Sequence, residues 1–205
     1  MWDERYAATE YVYGTAPNDF LVEVADRLPR GRVLCLGEGE GRNAVWLAGK
    51  GFAVTALDAS GVGLEKARRL AAERGVEIET VHTDLAPYDP GRGCWDAVVA
   101  IFCHLPPDLR TAVHRRCVTA LRPGGALVLE AYTPRQLALR TGGPPAAELM
   151  MDLASLRREL EGLDLEIARE LDREVNEGRL HQGLGAVVQI LGRKPACPDT
   201  ARGGR

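Results

Sequence analysis

The segment VLCLGEGEGRNAVWLA, Val33 to Ala48, constrains the fold more than any other part of the chain. An apolar run leads into glycines at 37, 39 and 41, with a glutamate in each gap, and an amphipathic run follows. A short apolar run closed by glycine predicts a buried strand. RNAVWLAGKG predicts a helix that stops at its glycines. Glycines between strand and helix predict a tight turn whose bare backbone lets a ligand approach. The helix starting near Arg42 and Asn43 aims its first N–H groups, and their partial positive charge, at the same point.

The pattern then repeats. AVTALD predicts a second strand, and Ser60 caps a helix over 61–74 with Leu64, Ala67 and Ala71 on one face. EIETVHTD and WDAVVAIF predict a third and a fourth strand. PPDLRTAVHRRCVTAL opens with prolines, as helices do, and the turn RPGG introduces a fifth strand, GALVLEAY. Upstream, Asn18 or Asp19 caps a helix over 19–28. Strands alternating with helices imply a mostly parallel sheet wrapped on both faces. Beyond residue 132 the pattern changes. TPRQLALRTGGPPA is long enough to be a lid or binding loop. Leu149, Leu153, Leu156 and Leu160 predict a helix over 149–161. DLEIARELDREV, the turn NEG and RLHQGLGAVVQILGRK predict an antiparallel hairpin at the sheet's edge. The fold class is therefore α/β: a doubly wound, mostly parallel seven-stranded sheet with helices on both faces and a C-terminal antiparallel hairpin. Residues 1–194 are expected to form one domain, with 1–30 as a cover segment and helix, and 195–205 a loose tail.

The totals exclude several classes. The net charge of −3 argues against a nucleic-acid surface. No apolar run reaches membrane-spanning length, and MWDERYAATEYVYG lacks a signal-peptide layout, so a cytoplasmic protein is expected, as monomer or homodimer. Five cysteines form no C-x-x-C pair, and the histidines at 82, 104, 114 and 181 lack metal-site spacing, so no metal is expected.

Asp58 closes the second strand, 21 residues after Gly37, and Asp84 closes the third. A carboxylate at the first position accepts the hydroxyls of a ribose, and one at the second takes a donor from an adenine edge. The competing reading is that both acids merely cap the elements that follow. Agreement among three strand ends favours a nucleotide-like ligand. The glycines fit both G-x-G-x-G and G-x-G-x-x-A, and no G-K-[ST] follows, which disfavours triphosphate hydrolysis.

GEGEGRNAVWLA, VTALDAS, HTDL and LRPGGALVLE, in that order, resemble the successive motifs of class I S-adenosylmethionine-dependent methyltransferases, over about residues 1–194. The opening WDERYAATEYVYGTAPNDFL is similar to small bacterial members akin to the tellurite-resistance methyltransferase. The resemblance implies S-adenosyl-L-methionine as cofactor. It implies that the backbone of Gly37, Glu38, Gly39 and Gly41, with Arg42 and Asn43 after them, faces the methionine part. It further implies that Asp58 holds the ribose with Ala59 and Ser60 beside it, that Asp84 and Leu85 border the adenine, and that Ile101 and Phe102 underlie the sulfonium. The family's usual acid two residues before the first glycine is replaced here by Cys35. Glu38 or Glu40 would supply the missing charge; the alternative for both is an exposed, solvated glutamate.

Methyl transfer from a sulfonium is an in-line displacement in which the leaving sulfur becomes neutral, so positioning matters more than acid catalysis. The acceptor is expected above strands four and five. His104 is a candidate base or acceptor-orienting donor, the alternative being a cap on the helix after Pro107. Tyr132 is a candidate pocket wall or a core ring, and Cys103 a small buried filler. Tyr6, Tyr11 and Tyr13 are candidates to fold over the cofactor and acceptor, against ordinary packing. Arg140 in the long loop is a candidate substrate contact, against plain solvation. His181 and Gln189 on the hairpin are assigned no chemistry. The expected activity is methyl transfer to a small-molecule acceptor, a soft nucleophile such as a thiol, selenol or metalloid species. A nicotinamide-dependent reductase, weakened by the lack of a Tyr-x-x-x-Lys pair, and a non-catalytic protein that binds S-adenosylmethionine are the alternatives.

Overall fold

In the computed structural model, which describes residues 2–178 and 182–196, Arg32–Leu36 forms β1, and its side chains divide by parity between two cores. Leu34 and Leu36 enter one core, Val33 and Cys35 the other, and all four are buried. A strand apolar on both faces demands cover on both sides, and the following elements supply it. They are α3 (Arg42–Gly49), β2 (Ala53–Asp58), α4 (Gly61–Glu73), β3 (Glu79–His82), β4 (Trp95–Ile101), α5 (Pro107–Ala120) and β5 (Leu121–Tyr132). Before β1 stand α1 (Trp2–Tyr6) and α2 (Asp19–Val24). After β5 come α6 (Gln136–Leu139), α7 (Leu153–Glu159), β6 (Asp164–Asn176) and β7 (Gln182–Arg193). The strand order is β3-β2-β1-β4-β5-β7-β6. The neighbours from β3 to β5 pair in parallel, while β7 runs antiparallel to both β5 and β6. This is the doubly wound sheet and closing hairpin the sequence predicts. α2, α3 and α4 cover one face; α5 and α7 cover the other. The winding direction reverses between β1 and β4, and in sheets of this kind the carboxyl ends at such a reversal are where ligands bind.

Local chemistry sets the boundaries. Asn18 caps α2 by accepting from the Leu21 N–H at 3.0 Å, and Ser60 caps α4 by accepting from Gly63 N–H at 3.0 Å. α2 is shorter than the expected 19–28, tightening into a 3₁₀ turn at Ala25–Arg27. The turn RPGG lies in a bulge: Trp95 pairs with Leu121, and Ala97 next with Ala126. The expected helix over 149–161 begins only at Leu153, because the Asp152 side chain accepts from Ser155 N–H at 2.8 Å and caps it there. Leu149 instead ends a 3₁₀ turn, and Met151 N–H donates to the Tyr132 carbonyl at 2.9 Å. Residues 148–151 thus pass across the end of β5 in place of a first helical turn. His181 and residues 197–205 of the expected tail lie outside the described residues.

α5 and α7 are joined by a buried ionic cluster. Both Glu159 oxygens accept from Arg110, at 2.8–3.1 Å, and Oε2 also pairs with His114 Nδ1 at 2.7 Å. Burial opposes ionisation of Glu159, but the bonds from His114 and Arg110 win and bring its carboxyl down to about 2.

Two predictions follow from this packing. Gly41 sits at φ +88°, and a Cβ there would lie 2.5 Å from that of Ala67; Gly51 has the same φ and nothing within 4 Å. Gly51→Ala should cost about 1–2 kcal/mol from conformation alone. Gly41→Ala should cost about 1–3 kcal/mol more from overpacking, and the difference in melting temperature, at about 2–4 °C per kcal/mol, reads it out. Secondly, Glu159 has a folded pKa below its ordinary value, so its stabilisation is complete above that value and is lost as pH falls through the folded one. Acid titration of urea stability should therefore show wild type losing stability relative to Glu159→Gln between roughly pH 5 and 2.

Candidate functional site

The glycine turn is built by three left-handed residues, Gly37, Gly39 and Gly41, at φ +57°, +59° and +88°. Each is also hemmed in: a Cβ on Gly37 would lie 2.9 Å from Cys103 Sγ, and one on Gly39 would lie 2.5 Å from the Tyr6 hydroxyl. Glu38 turns back on the helix that follows, and its Oε1 accepts from Asn43 N–H at 2.9 Å and Ala44 N–H at 2.7 Å. It therefore occupies the anion-favouring N-terminus of α3. Burial raises its carboxyl to about 7, outweighing these bonds and the charge of Arg42. Glu40 is not the exposed glutamate of the alternative reading: it is buried and pairs with Lys66 Nζ at 2.5 Å. Its other oxygen accepts from Tyr13 N–H at 3.2 Å.

Asp58, at the end of β2, joins the turn to the next strand. Oδ2 accepts from Gly39 N–H at 2.9 Å and Oδ1 from Ser60 N–H at 2.7 Å. Each oxygen retains a lone pair for a further donor. Burial pushes this carboxyl upward, against both bonds. Ala59 is exposed, and its carbonyl lies 3.1 Å from His82 Nε2. Ser60 is buried and donates its hydroxyl to Asp3 Oδ1 at 2.5 Å. Asp84 is exposed and accepts from Ala86 N–H at 2.7 Å, while the Leu85 side chain is buried in the core beside α5.

The N-terminal segment crosses the turn. Tyr6 is buried, and desolvation with the nearby Asp58 charge raises its phenol. Its ring meets Tyr13 edge-on at 6.2 Å. Tyr13 accepts from Arg5 Nη1 at 3.1 Å. Tyr11 stands farther off, donating to the Lys66 carbonyl at 3.2 Å and packing near Val45 and Leu70. Arg42 and Asn43 direct their side chains away from the turn: Arg42 pairs with Glu177 at 2.5 Å, and Asn43 Oδ1 accepts from Asn18 N–H at 2.9 Å. Arg140 is exposed in the long loop, at φ +57°.

On the other side of the reversal, β4 ends at the buried Ile101. Phe102 follows at φ +52°, a conformation that costs a bulky residue energy and clusters at functional sites. The turn is tied by Phe102 N–H to the Glu130 carbonyl, 2.7 Å, and His104 N–H to the Phe102 carbonyl, 3.2 Å. The Phe102, Tyr132 and His104 rings are stacked, with 8° to 29° between planes and centroids 4.6 to 6.4 Å apart. His104 does not cap α5, whose N-cap is Pro106. Its Nδ1 lies 2.9 Å from the Leu149 carbonyl, and its Nε2 accepts from Tyr132 N–H at 3.4 Å. Burial lowers its pKa to about 4. Burial likewise raises the Cys103 thiol to about 12 and raises the Tyr132 phenol. The turn above β4 is thus walled by neutral groups. Glu130 belongs to a separate buried network in which Asn18, Arg173 and Gln189 donate to it. Among the described residues no group of His, Cys, Asp and Glu is arranged to hold a metal ion, and no helix is long and apolar enough to cross a membrane.

Comparison with known proteins places this geometry. Residues 33–125 match the family model of a methyltransferase domain. The chain is 36% identical to a ubiquinone biosynthesis O-methyltransferase of Xanthomonas campestris pv. campestris over 123 residues, 57% of this chain and 50% of that protein. The chain spans about half the length of the curated relatives it matches. Among solved structures it is similar to one described under the conversion of a disulfide bond into a thioacetal group during echinomycin biosynthesis. The TM-score is 0.76, with 22% identity, 97% of this chain and 93% of that one covered. It is also similar to TehB from Haemophilus influenzae, TM-score 0.71, 18% identity, 94% of this chain and 65% of that one.

The sequence reading missed Lys66. Its Nζ donates to the carbonyls of Tyr6, Ala8 and Glu10 at 2.7–3.3 Å as well as to Glu40. The available signal was position: Lys66 falls on the same α4 stripe as Gly63, Ala67 and Leu70 and is buried with them. A buried ammonium needs acceptors for its three N–H groups, and by finding most of them on residues 6–10 it gathers the N-terminal segment over the turn. Lys66→Met alone should cost about 3–5 kcal/mol by leaving Glu40 unpaired. Lys66→Met with Glu40→Gln removes both charges. In hydrogen-exchange mass spectrometry it should speed exchange of residues 2–13 while leaving β1, β4 and β5 protected.

Proposed function

We propose that the chain, which matches a methyltransferase domain over residues 33–125 and shares the fold of solved S-adenosylmethionine-dependent methyltransferases, methylates a small molecule which reaches the site already able to attack. The observation that carries this reading is the state of His104. Both ring nitrogens are engaged by backbone groups, and its pKa of about 4 leaves little proton affinity at neutral pH. Its neighbours Cys103 and Tyr132 are held neutral by burial. Amines and alcohols, which begin protonated, are poorly served by such a wall. Thiolates, selenolates and reduced metalloid anions attack without help. The resemblance of the opening segment to the tellurite-resistance type, and a structural neighbour described under the conversion of a disulfide bond into a thioacetal group, agree with a soft nucleophile. A second reading, an ionised phenol, draws on the O-methyltransferase relatives. The nicotinamide alternative finds no counterpart in the matched family.

The site fits S-adenosylmethionine, whose sulfonium would supply the methyl group. The left-handed glycines curl residues 37–41 into a turn with no side chains at 37, 39 and 41, and Asp58 keeps lone pairs for the ribose hydroxyls. Glu38, at the turn, would stand in for the acid replaced by Cys35, ionising fully beside the cofactor's ammonium. Ser60 would border the ribose, Asp84 and Leu85 the adenine, and Ile101 and Phe102 the sulfonium. Tyr6 and Tyr13 would cover the turn and exclude water. His104 and Tyr132 would orient the acceptor, with Arg140 at the mouth. Alignment of donor and acceptor is the main source of rate here, an effect that reaches about 7–11 kcal/mol.

Asp58→Ala should weaken binding of S-adenosylhomocysteine at least about 100-fold by calorimetry, since charge-assisted hydrogen bonds contribute about 1.5–3 kcal/mol each. Unchanged affinity would refute the cofactor site. Release of S-adenosylhomocysteine should be detected with thiols, selenite or tellurite plus reductant, or acidic phenols. Under saturating cofactor the acid limb of the rate should follow each acceptor's own pKa. Turnover confined to amines or aliphatic alcohols would refute the acceptor reading.

A further inference from the structure

Arg110 reaches beyond its partner Glu159. Its Nη1 donates to the Met150 carbonyl at 3.0 Å and, at 3.5 Å, to that of Glu148. The carbonyl between them, that of Leu149, meets His104 Nδ1 instead, at 2.9 Å. One short segment at the end of the 3₁₀ turn is thus held by both a guanidinium and an imidazole. The geometry fixes the tautomer of that imidazole. A carbonyl only accepts, so Nδ1 must carry the proton; the Tyr132 N–H only donates, so Nε2 must be bare. The ring is then fixed nearly parallel to Tyr132, at 8° between planes, in the wall above β4.

We propose that Arg110, through the 148–150 segment, is a positioning residue that locks His104 as a single Nδ1–H tautomer and so sets the wall against which the methyl acceptor lies. This rests on the methyltransferase reading above and deepens it. A ring locked in this way has its bare nitrogen turned to the backbone of β5, which leaves the acceptor to bring its own negative charge. Arg110 is suited to the task because its fork offers separate N–H groups to Glu159 and to the carbonyls, whereas a lysine offers one point charge. His114 shares Glu159 with Arg110, but no bond joins it to the 148–150 carbonyls among the described contacts.

The test is ¹⁵N NMR of histidine-labelled protein saturated with S-adenosylhomocysteine, the His104 signals being assigned with His104→Gln. Wild type should show one protonated Nδ1 and one bare Nε2. Arg110→Gln together with Glu159→Gln, which removes both charges and so spares the fold an unpaired one, should give tautomer-averaged His104 signals. It should also lower kcat for the best acceptor of the screen by roughly 10- to 100-fold with cofactor KM unchanged. Arg110→Lys should recover part of the locked signature, and His114→Gln should retain it. The proposal is overturned by an Nε2–H tautomer in wild type, by a locked signature in the folded double variant, or by His114→Gln disturbing His104 as much as the double variant does. Binding of S-adenosylhomocysteine is measured separately, so failure of the cofactor reading remains distinguishable from failure of this one.

Discussion

The carboxylate of Asp58 joins two strand ends that the sheet alone would leave independent. One oxygen takes the Gly39 N–H from the turn after β1, and the other takes the Ser60 N–H at the start of α4. Those donors would otherwise be buried without partners, at a cost of about 1–3 kcal/mol each. Their capture fixes the curl of the glycine turn, and that curl brings Gly39 beneath Tyr6 and Gly37 beside Cys103. The reversal of winding between β1 and β4 marks the binding end of the sheet, but this one side chain gives the turn there its shape.

Charge is handled the same way throughout the upper face. Cations there are matched to carboxylates, as the buried Lys66 is to Glu40, the buried Arg42 to Glu177, and the partly buried Arg173 to Glu130 and Glu177. Desolvated pairs of this kind contribute little net stability compared with apolar packing, but breaking one is costly. They therefore act as fasteners between particular segments: Glu40 and Lys66 hold the N-terminal segment, while Glu177 ties the tip of the hairpin to α3. The groups in the turn above β4 and beside it on β5, His104, Cys103 and Tyr132, are pushed by burial toward their neutral forms.

What the sequence made legible was whatever depends on local rules. The glycine turn, the strand and helix it joins, the Ser60 cap and the closing hairpin follow from propensity, period and turn chemistry, and all stand where those rules put them. The leucine spacing over 149–160 misled because period alone does not say where a helix starts. Asp152 decided that, and the freed residues became the strap across β5. Glu40 read as a solvated glutamate because its partner is 26 residues away, on α4. Asn18 was legible as a cap, which it is, but its amide also bonds Glu130 and Glu177, 112 and 159 residues distant. Pairings of that range leave no local trace.

The strain at Phe102 fits this division. A bulky side chain at φ +52° is unfavourable by local rules, and nothing in IFCHLPPDL announces it. It persists because Glu130 fixes the backbone from β5, and Tyr132 receives the ring at 4.6 Å. The turn it forces carries His104 out of the line of β4, to where a carbonyl of the strap and an N–H of β5 can both reach the imidazole. A relaxed residue at 102 would let the chain continue along the strand direction and send His104 elsewhere. The conformational cost at one residue is thus the condition for a wall built from three elements, β4, β5 and the strap before α7, that meet nowhere in the sequence.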